Sequence, residues 1–228
     1  MSARTWALSI VAATAGVWFA HECAHGLGYR LDDVRVSTGF NMVGSPDKAP
    51  GDPGFRSGVP VTGTPNRGTL FGPLLTWTVA CAATAAFLRW PKGKRGVVFA
   101  ATAVSAAMQR VLPLVSFFAA APFGRVVYQD EVEWGARHVK GMRFPMPFDA
   151  FQAALRDRPR QFLSTPAVYA WPAVSVGVCG ACLTLTYTRL RRNDPVPTWR
   201  TFAGVPITAW LAVAAVFGAL DRVVRINW

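Results

Sequence analysis

The hydrophobic residues of this chain fall into long continuous blocks, and polar segments separate one block from the next. The blocks are not the narrow stripes of amphipathic helices, and a helix of about twenty apolar residues spans the hydrocarbon core of a bilayer. The predicted fold is therefore an all-α integral membrane protein, with residues 1–228 forming one multi-pass domain. Five blocks are predicted to be transmembrane helices: Thr5–Leu27, Thr69–Leu88, Val97–Pro122, Pro166–Tyr187 and Gly204–Val224.

The two long polar loops carry weaker patterns. The first is rich in Gly, Pro, Ser and Thr, and its segments Val34–Phe40 and Gly58–Thr62 alternate enough to predict short strands. They suggest a short β-hairpin-like segment after the first helix. In the second loop, Phe148, Phe151 and Leu155 share one face of a predicted helix that arginines follow. A short helix of this kind is predicted to lie in the membrane interface.

The net charge of +12 raises the question of nucleic-acid binding, but many basic residues form short clusters between the apolar blocks. The clusters at 89–95 and 189–192 indicate cytoplasmic loops, since Lys and Arg favour that side. The long loops, at about 30–67 and 123–165, are then predicted to lie on the opposite side. The bilayer, and no nucleic acid, is the expected partner. The Ala-, Val- and Arg-rich composition fits a bacterial inner membrane.

The four cysteines, Cys23, Cys81, Cys179 and Cys182, lie in or beside apolar blocks, which does not indicate a disulfide scaffold. Cys179 and Cys182 have the CxxC spacing of redox and metal sites. Because they lie inside an apolar run, they are interpreted as small residues at a contact between helices.

The first block ends in the motif His21-Glu22-Cys23-Ala24-His25. Side chains four residues apart lie on one face of a helix, so the two imidazoles can share one tetrahedral metal. Glu22 can reach a metal-bound water without being a ligand, which suits a general base. With only three His and three Glu in the chain, this motif is expected by chance in about one such sequence in two thousand. The alternative is a polar helix end with two hydrogen-bonded histidines.

A first-helix HExxH motif, a Gly-rich loop and Gly72-Pro73-Leu74-Leu75 at the start of the second block resemble the site-2 protease family of intramembrane zinc metallopeptidases. The resemblance covers about residues 15–90. It implies Zn²⁺ bound by His21 and His25, with Glu22 as general base. It also implies that loop strands present an extended substrate by strand addition. The Asp-Gly motif that usually supplies this family's third ligand is absent here.

Four residues are therefore candidates for the third ligand. Asp130 is the favoured one, and Glu131 follows it in the chain. The pair resembles an Asp-Glu pair of some small membrane peptidases, which follows a helix with a polar residue and Arg, here Gln109-Arg110. Asp130 could instead cap a helix, with Glu133 completing a capping box. A third candidate is Asp221, in a Leu-Asp pair near the C-terminus, although Arg225 could form an ion pair with it. The fourth is His138, the only other histidine of the chain.

Arg110 is a charge inside an apolar block and needs a carboxylate or carbonyl partner. It could orient Asp130, stabilise an oxyanion, or form a structural ion pair. The expected function is that of a membrane-embedded zinc metalloprotease acting on membrane-anchored proteins. The alternative is a non-catalytic scaffold or regulator with a structural metal site. A transporter would leave the motif unexplained.

Overall fold

A computed structural model describes residues 2–49, 52, 54–193, 198–221 and 223–228, and most of this chain is helical. Within these residues, five helices are long and apolar enough to cross a membrane. The protein is therefore a multi-pass, all-α membrane protein, as the hydrophobic blocks predict. The α-helices are α1 (Ala3–Leu31), α2 (Arg67–Arg89), α3 (Gly93–Ala120), α4 (Asp130–Trp134), α5 (Phe148–Asp157), α6 (Pro159–Leu163), α7 (Ala167–Asn193) and α8 (Trp199–Leu220).

Capping residues and glycine turns set the helix ends. The Ser2 side chain accepts the Thr5 N–H at the start of α1, and Asn66 and Thr69 form a capping box at the start of α2. Gly93, at φ +69°, lets the chain turn directly from α2 into α3. The last predicted helix, Gly204–Val224, extends too far, because α8 ends at Leu220.

Helices α1, α2 and α3 pack against one another and form the centre of the bundle. Helix α7 packs on α3 and α2, whereas α8 contacts mainly α1 and is the least enclosed of the five. Cys179 and Cys182 of α7 lie in a buried cluster with small residues of α2 and α3. This is the contact between helices that their position inside an apolar run predicts.

Five two-residue strands assemble at the end of the bundle where both long loops emerge. They are β1 (Ser37–Thr38), β2 (Val43–Gly44), β3 (Pro60–Val61), β4 (Met146–Pro147) and β5 (Ile226–Asn227). Strand β1 covers two residues of the predicted strand Val34–Phe40 and forms a hairpin with β2, which was not predicted. Strand β5 pairs antiparallel with the other edge of β1. Strand β3 pairs with β4 and so joins the two long loops. The loops and the segment after α8 form one cap, on one end of the bundle.

The predicted helix of the second loop is present as α5, but its predicted environment is wrong. Phe148, Phe151 and Leu155 are buried in a protein core together with Val36 and Val61 of the first loop. The apolar face that suggested membrane binding therefore packs against the cap. Periodicity identifies an apolar face without identifying what covers it.

Candidate metal centre

Helix α1 holds His21, Glu22 and His25 buried on the side that faces α2 and α3. The two imidazoles meet edge to face with centroids 4.6 Å apart, and their Nε2 atoms are 3.1 Å apart. His25 lies six residues before the end of α1, about 9 Å along the helix. The motif therefore lies near the capped end of the bundle.

Hydrogen bonds determine which nitrogen of each imidazole carries the proton. His25 Nδ1 lies 2.6 Å from the Gly68 carbonyl oxygen, which can only accept, so Nδ1 donates. The Thr76 hydroxyl donates to the Gly72 carbonyl and accepts from His21 Nδ1 at 2.8 Å. Both Nε2 atoms therefore keep their lone pairs. An outer hydrogen bond of this kind on the distal nitrogen is the usual support of a metal-binding histidine.

Asp130, the first residue of α4, brings the third potential ligand to these nitrogens. Its Oδ2 atom is 3.6 Å from His25 Nε2 and 3.8 Å from His21 Nε2. Ligands held about 2.0–2.1 Å from a tetrahedral zinc ion lie about 3.3 Å from one another, close to these separations. The chemistry and spacing of the three groups thus fit a divalent transition metal.

The other three candidates for the third ligand lie elsewhere or are already bonded. Glu131 receives two hydrogen bonds from Arg110 and one from Ser175. Asp221 accepts the backbone N–H groups of Phe40 and Asn41. His138 is exposed in a 3₁₀ turn.

Asp130 does not cap a helix, and Asp221 does not pair with Arg225, although the sequence suggested both roles. Gln129, rather than Asp130, is the N-cap of α4, and it makes no side-chain capping bond. Arg225 donates to the Lys48 carbonyl rather than to Asp221. Neither carboxylate thus has the local role that sequence spacing offers it.

Arg110 connects the buried carboxylates to the motif. Its guanidinium forms a bidentate pair with Glu131, at 3.1 and 2.6 Å, and reaches Asp130 Oδ2 at 3.3 Å. Its Nη1 lies 3.2 Å from His21 Nε2, and because guanidinium only donates, that nitrogen is again the acceptor. Arg110 therefore orients Asp130, which is one of the roles expected from its position.

Gly72 allows helix α2 to pack closely against the His25 ring, which comparison of motifs does not reveal. A Cβ atom at this position would overlap the His25 ring, and at Gly68 it would overlap the Tyr29 ring. Helix α2 can approach the motif only because these positions lack side chains. Gly72 accordingly creates the space in which the His25 imidazole lies.

The electrostatics of the cluster favour a cation. Glu22, Asp130 and Glu131 carry one negative charge each when ionised, whereas Arg110 and Arg56 carry two positive charges between them. Burial alone would raise the pKa of Asp130, but the His25 imidazole and the Arg110 guanidinium beside its carboxylate hold that pKa well below its usual range. Burial, with Asp130 nearby, raises the pKa of Glu133 to about 8. A divalent ion would interact favourably with the negative charge that remains.

A cavity of about 400 Å³ opens beside the three potential ligands. Glu22 lines it together with both histidines and Asp130. Arg56, Gln109 and Tyr128 also line the cavity and are not part of the sequence-based site. The polar residue beside Arg110 in an apolar block was the only signal that could have singled out Gln109.

Comparison with known proteins adds no assignment to this geometry. No family model matches the chain, and no curated protein or solved structure matches it either.

Proposed function

We propose that this protein is a membrane-embedded zinc metalloprotease of the site-2 protease type, which hydrolyses peptide bonds of membrane-anchored proteins. The observation that carries the proposal is the convergence of His21 Nε2, His25 Nε2 and Asp130 Oδ2 beside a cavity that Glu22 lines. The histidine protonation pattern and the unbalanced negative charge support it independently.

His21, His25 and Asp130 would hold the ion. Bound there, Zn²⁺ would polarise the scissile carbonyl and lower the pKa of the attacking water. Two histidines and one carboxylate are a usual ligand set of catalytic zinc, which keeps its fourth position open. Structural zinc sites instead have four protein ligands, so an open cavity beside three ligands favours catalysis over a structural metal.

The protein's own groups account for the proton transfers. Glu22 would take a proton from the attacking water and deliver it to the leaving amine, so the same carboxylate acts first as base and then as acid. Arg110 holds Asp130 by hydrogen bonding and keeps its Oδ2 directed at the histidines. Glu22 is buried, and the low polarity of its surroundings strengthens its interaction with charge in the cavity.

An extended segment of a membrane-anchored protein is the substrate that fits best. Peptide bonds within a helix are shielded, so a protease must hold its substrate unwound. Strand β2 is an edge strand of the three-stranded sheet, and its Val43 lines the cavity. An added strand along β2 would bring an unwound peptide to Glu22.

The decisive experiment compares Glu22→Gln with Cys23→Ala in the full-length protein, purified in detergent. Gln keeps the shape of the side chain but cannot accept the proton, so one zinc per chain should remain while peptide cleavage falls by at least about a hundredfold. Cys23 does not line the cavity, and its variant should keep both properties. Zinc is measured by elemental analysis, and cleavage with membrane-anchored fluorogenic peptides. Cleavage by Glu22→Gln at the unchanged rate would refute the mechanism.

A further inference from the structure

The cavity holds polar groups that peptide hydrolysis does not use. Gln109, next to Arg110 on α3, is only 5% exposed, and its Oε1 atom has no hydrogen-bond partner among the described residues. A buried amide oxygen left without a donor costs free energy, about 1–3 kcal/mol. Because Gln109 lines the cavity, a bound molecule with an N–H group could satisfy it.

Arg56 contributes a positive charge to the same cavity. Its guanidinium lies over the Phe148 ring, 5.1 Å from the centroid. This cation–π contact holds the group in place without neutralising it. No carboxylate forms a close ion pair with Arg56 in the part of the chain that the structure describes, and those of Glu22 and Asp221 interact with its charge only from farther away. An arginine that is held by an aromatic ring and lacks an ion-pair partner is suited to bind an anion.

The cavity differs in polarity between its two ends. Arg56 and Asn41 belong to the first loop and lie toward the cap, whereas Trp18 and Trp210 come from α1 and α8 within the bundle. The two tryptophan rings stack with centroids 5.2 Å apart and form an apolar wall. A ligand of matching polarity would be anionic at the cap end and apolar at the end toward the membrane.

We propose that the cavity selects peptide segments that carry an acidic side chain on the cap side of the scissile bond and apolar residues on the membrane side. This inference rests on the proposed function and specifies its substrate class. Arg56 binds the substrate carboxylate by charge-assisted hydrogen bonds. Gln109 Oε1 accepts a backbone N–H of the same segment, and the Trp18–Trp210 wall contacts its apolar part.

A binding experiment tests the proposal separately from catalysis. Three membrane-anchored peptides, identical except for Glu, Gln or Lys on the cap side of an apolar segment, are titrated against full-length Glu22→Gln protein with zinc, in nanodiscs. Fluorescence anisotropy should show the Glu peptide binding about tenfold more tightly than the Gln peptide, and the Lys peptide most weakly.

Charge reversal at Arg56 provides the specific control. In the Glu22→Gln background, Arg56→Glu should invert the order so that the Lys peptide binds best. Arg56→Gln should abolish the preference for the Glu peptide. This variant tests the proposal even if the reversed charge of Arg56→Glu impairs folding. Arg125→Glu makes the same charge change at an exposed position outside the cavity and should keep the original order. Gln109→Leu should weaken all three peptides equally, since a backbone N–H is common to them.

The outcomes separate the two proposals. Equal binding of the three peptides, or an order that Arg56→Glu and Arg56→Gln leave unchanged, would overturn the substrate preference even if cleavage is observed. The expected order of binding without cleavage of any peptide by the zinc-loaded wild type would instead defeat the proteolytic function, while the recognition site would stand.

Discussion

At the scale of single residues, side chains from two helices that lie more than 100 residues apart in the chain converge on one point. His21 and His25 lie four residues apart in one helix, so local geometry alone brings their imidazoles together. Asp130 approaches them from α4, where Arg110 of α3 donates to both Asp130 and Glu131. Nothing in the sequence decides which of two adjacent carboxylates an arginine takes as its bidentate partner. Tertiary structure makes that choice, and it leaves Asp130 facing the histidines.

Removal of the Asp130 carboxylate should weaken metal binding strongly. Loss of an outer hydrogen-bond partner typically costs 10–100-fold in metal affinity, so loss of a direct ligand in Asp130→Ala should cost at least about as much. The control, Asp149→Ala, removes an equal charge from an exposed position of α5 and should bind zinc like the wild type. Competition with a chelator measures the affinity. Unchanged zinc affinity in Asp130→Ala would exclude this carboxylate as a ligand.

At the scale of elements, hydrophobic block length predicts the five long helices well, because each helix forms its own backbone hydrogen bonds and its length matches a bilayer. The pattern of hydrophobic blocks does not predict contacts between segments that are distant in the chain. Helix α8 stops at Leu220 where the chain turns into the cap, and the Asp221 side chain then bonds to the β1–β2 turn. Helix α5 buries its apolar face under the first loop instead of in lipid.

The approach of α2 to α1 gives a test at this scale. In Gly72→Ala, the new methyl group would overlap the His25 ring, which must turn away and lose its bond to the Gly68 carbonyl. We expect zinc affinity to fall at least tenfold while helix content stays unchanged. Gly16→Ala in α1 is the matched control, because its Cβ atom would meet nothing within 4 Å.

Zinc affinity and circular dichroism distinguish these two variants. If Gly72→Ala retains the zinc affinity of Gly16→Ala, the close packing of α2 on the motif is not needed for the site.

At the scale of the whole molecule, both long loops and the segment after α8 lie at one end of the bundle, as the alternation of spans and loops predicts. The membrane side on which this cap lies remains a prediction from the basic clusters at the other end. The assembly of the cap from three separate segments was not predictable, because two-residue strands leave almost no periodic signal.

Removal of residues 223–228 tests what β5 and Arg225, which donates to the Lys48 carbonyl, contribute to the order of the first loop. This truncation deletes the strand that pairs with β1 and the Trp228 indole, which donates to Thr38 Oγ1 at 2.7 Å and packs over Gly26. All three potential ligands remain, so zinc should still bind. The first loop should become several-fold more sensitive to trypsin, which cleaves after its exposed Lys48.

Thr38→Val, which removes only the side-chain hydrogen bond, should show a smaller increase in the proteolysis rate. If the truncated protein digests at the wild-type rate, β5 does not hold the first loop in place.

The pairing of β1 with β5 also has a consequence for the order of events during synthesis. His21 and His25 leave the ribosome more than 100 residues before Asp130, and β5 follows Asp130 by almost another 100. A nascent chain that has just inserted α7 therefore already holds the three groups that could capture an ion. Strand β5, which pairs with β1 of the first loop, has not yet been synthesised at that stage. The newly made protein would then pass through a stage in which the ion can enter freely, and the final strand would end that stage.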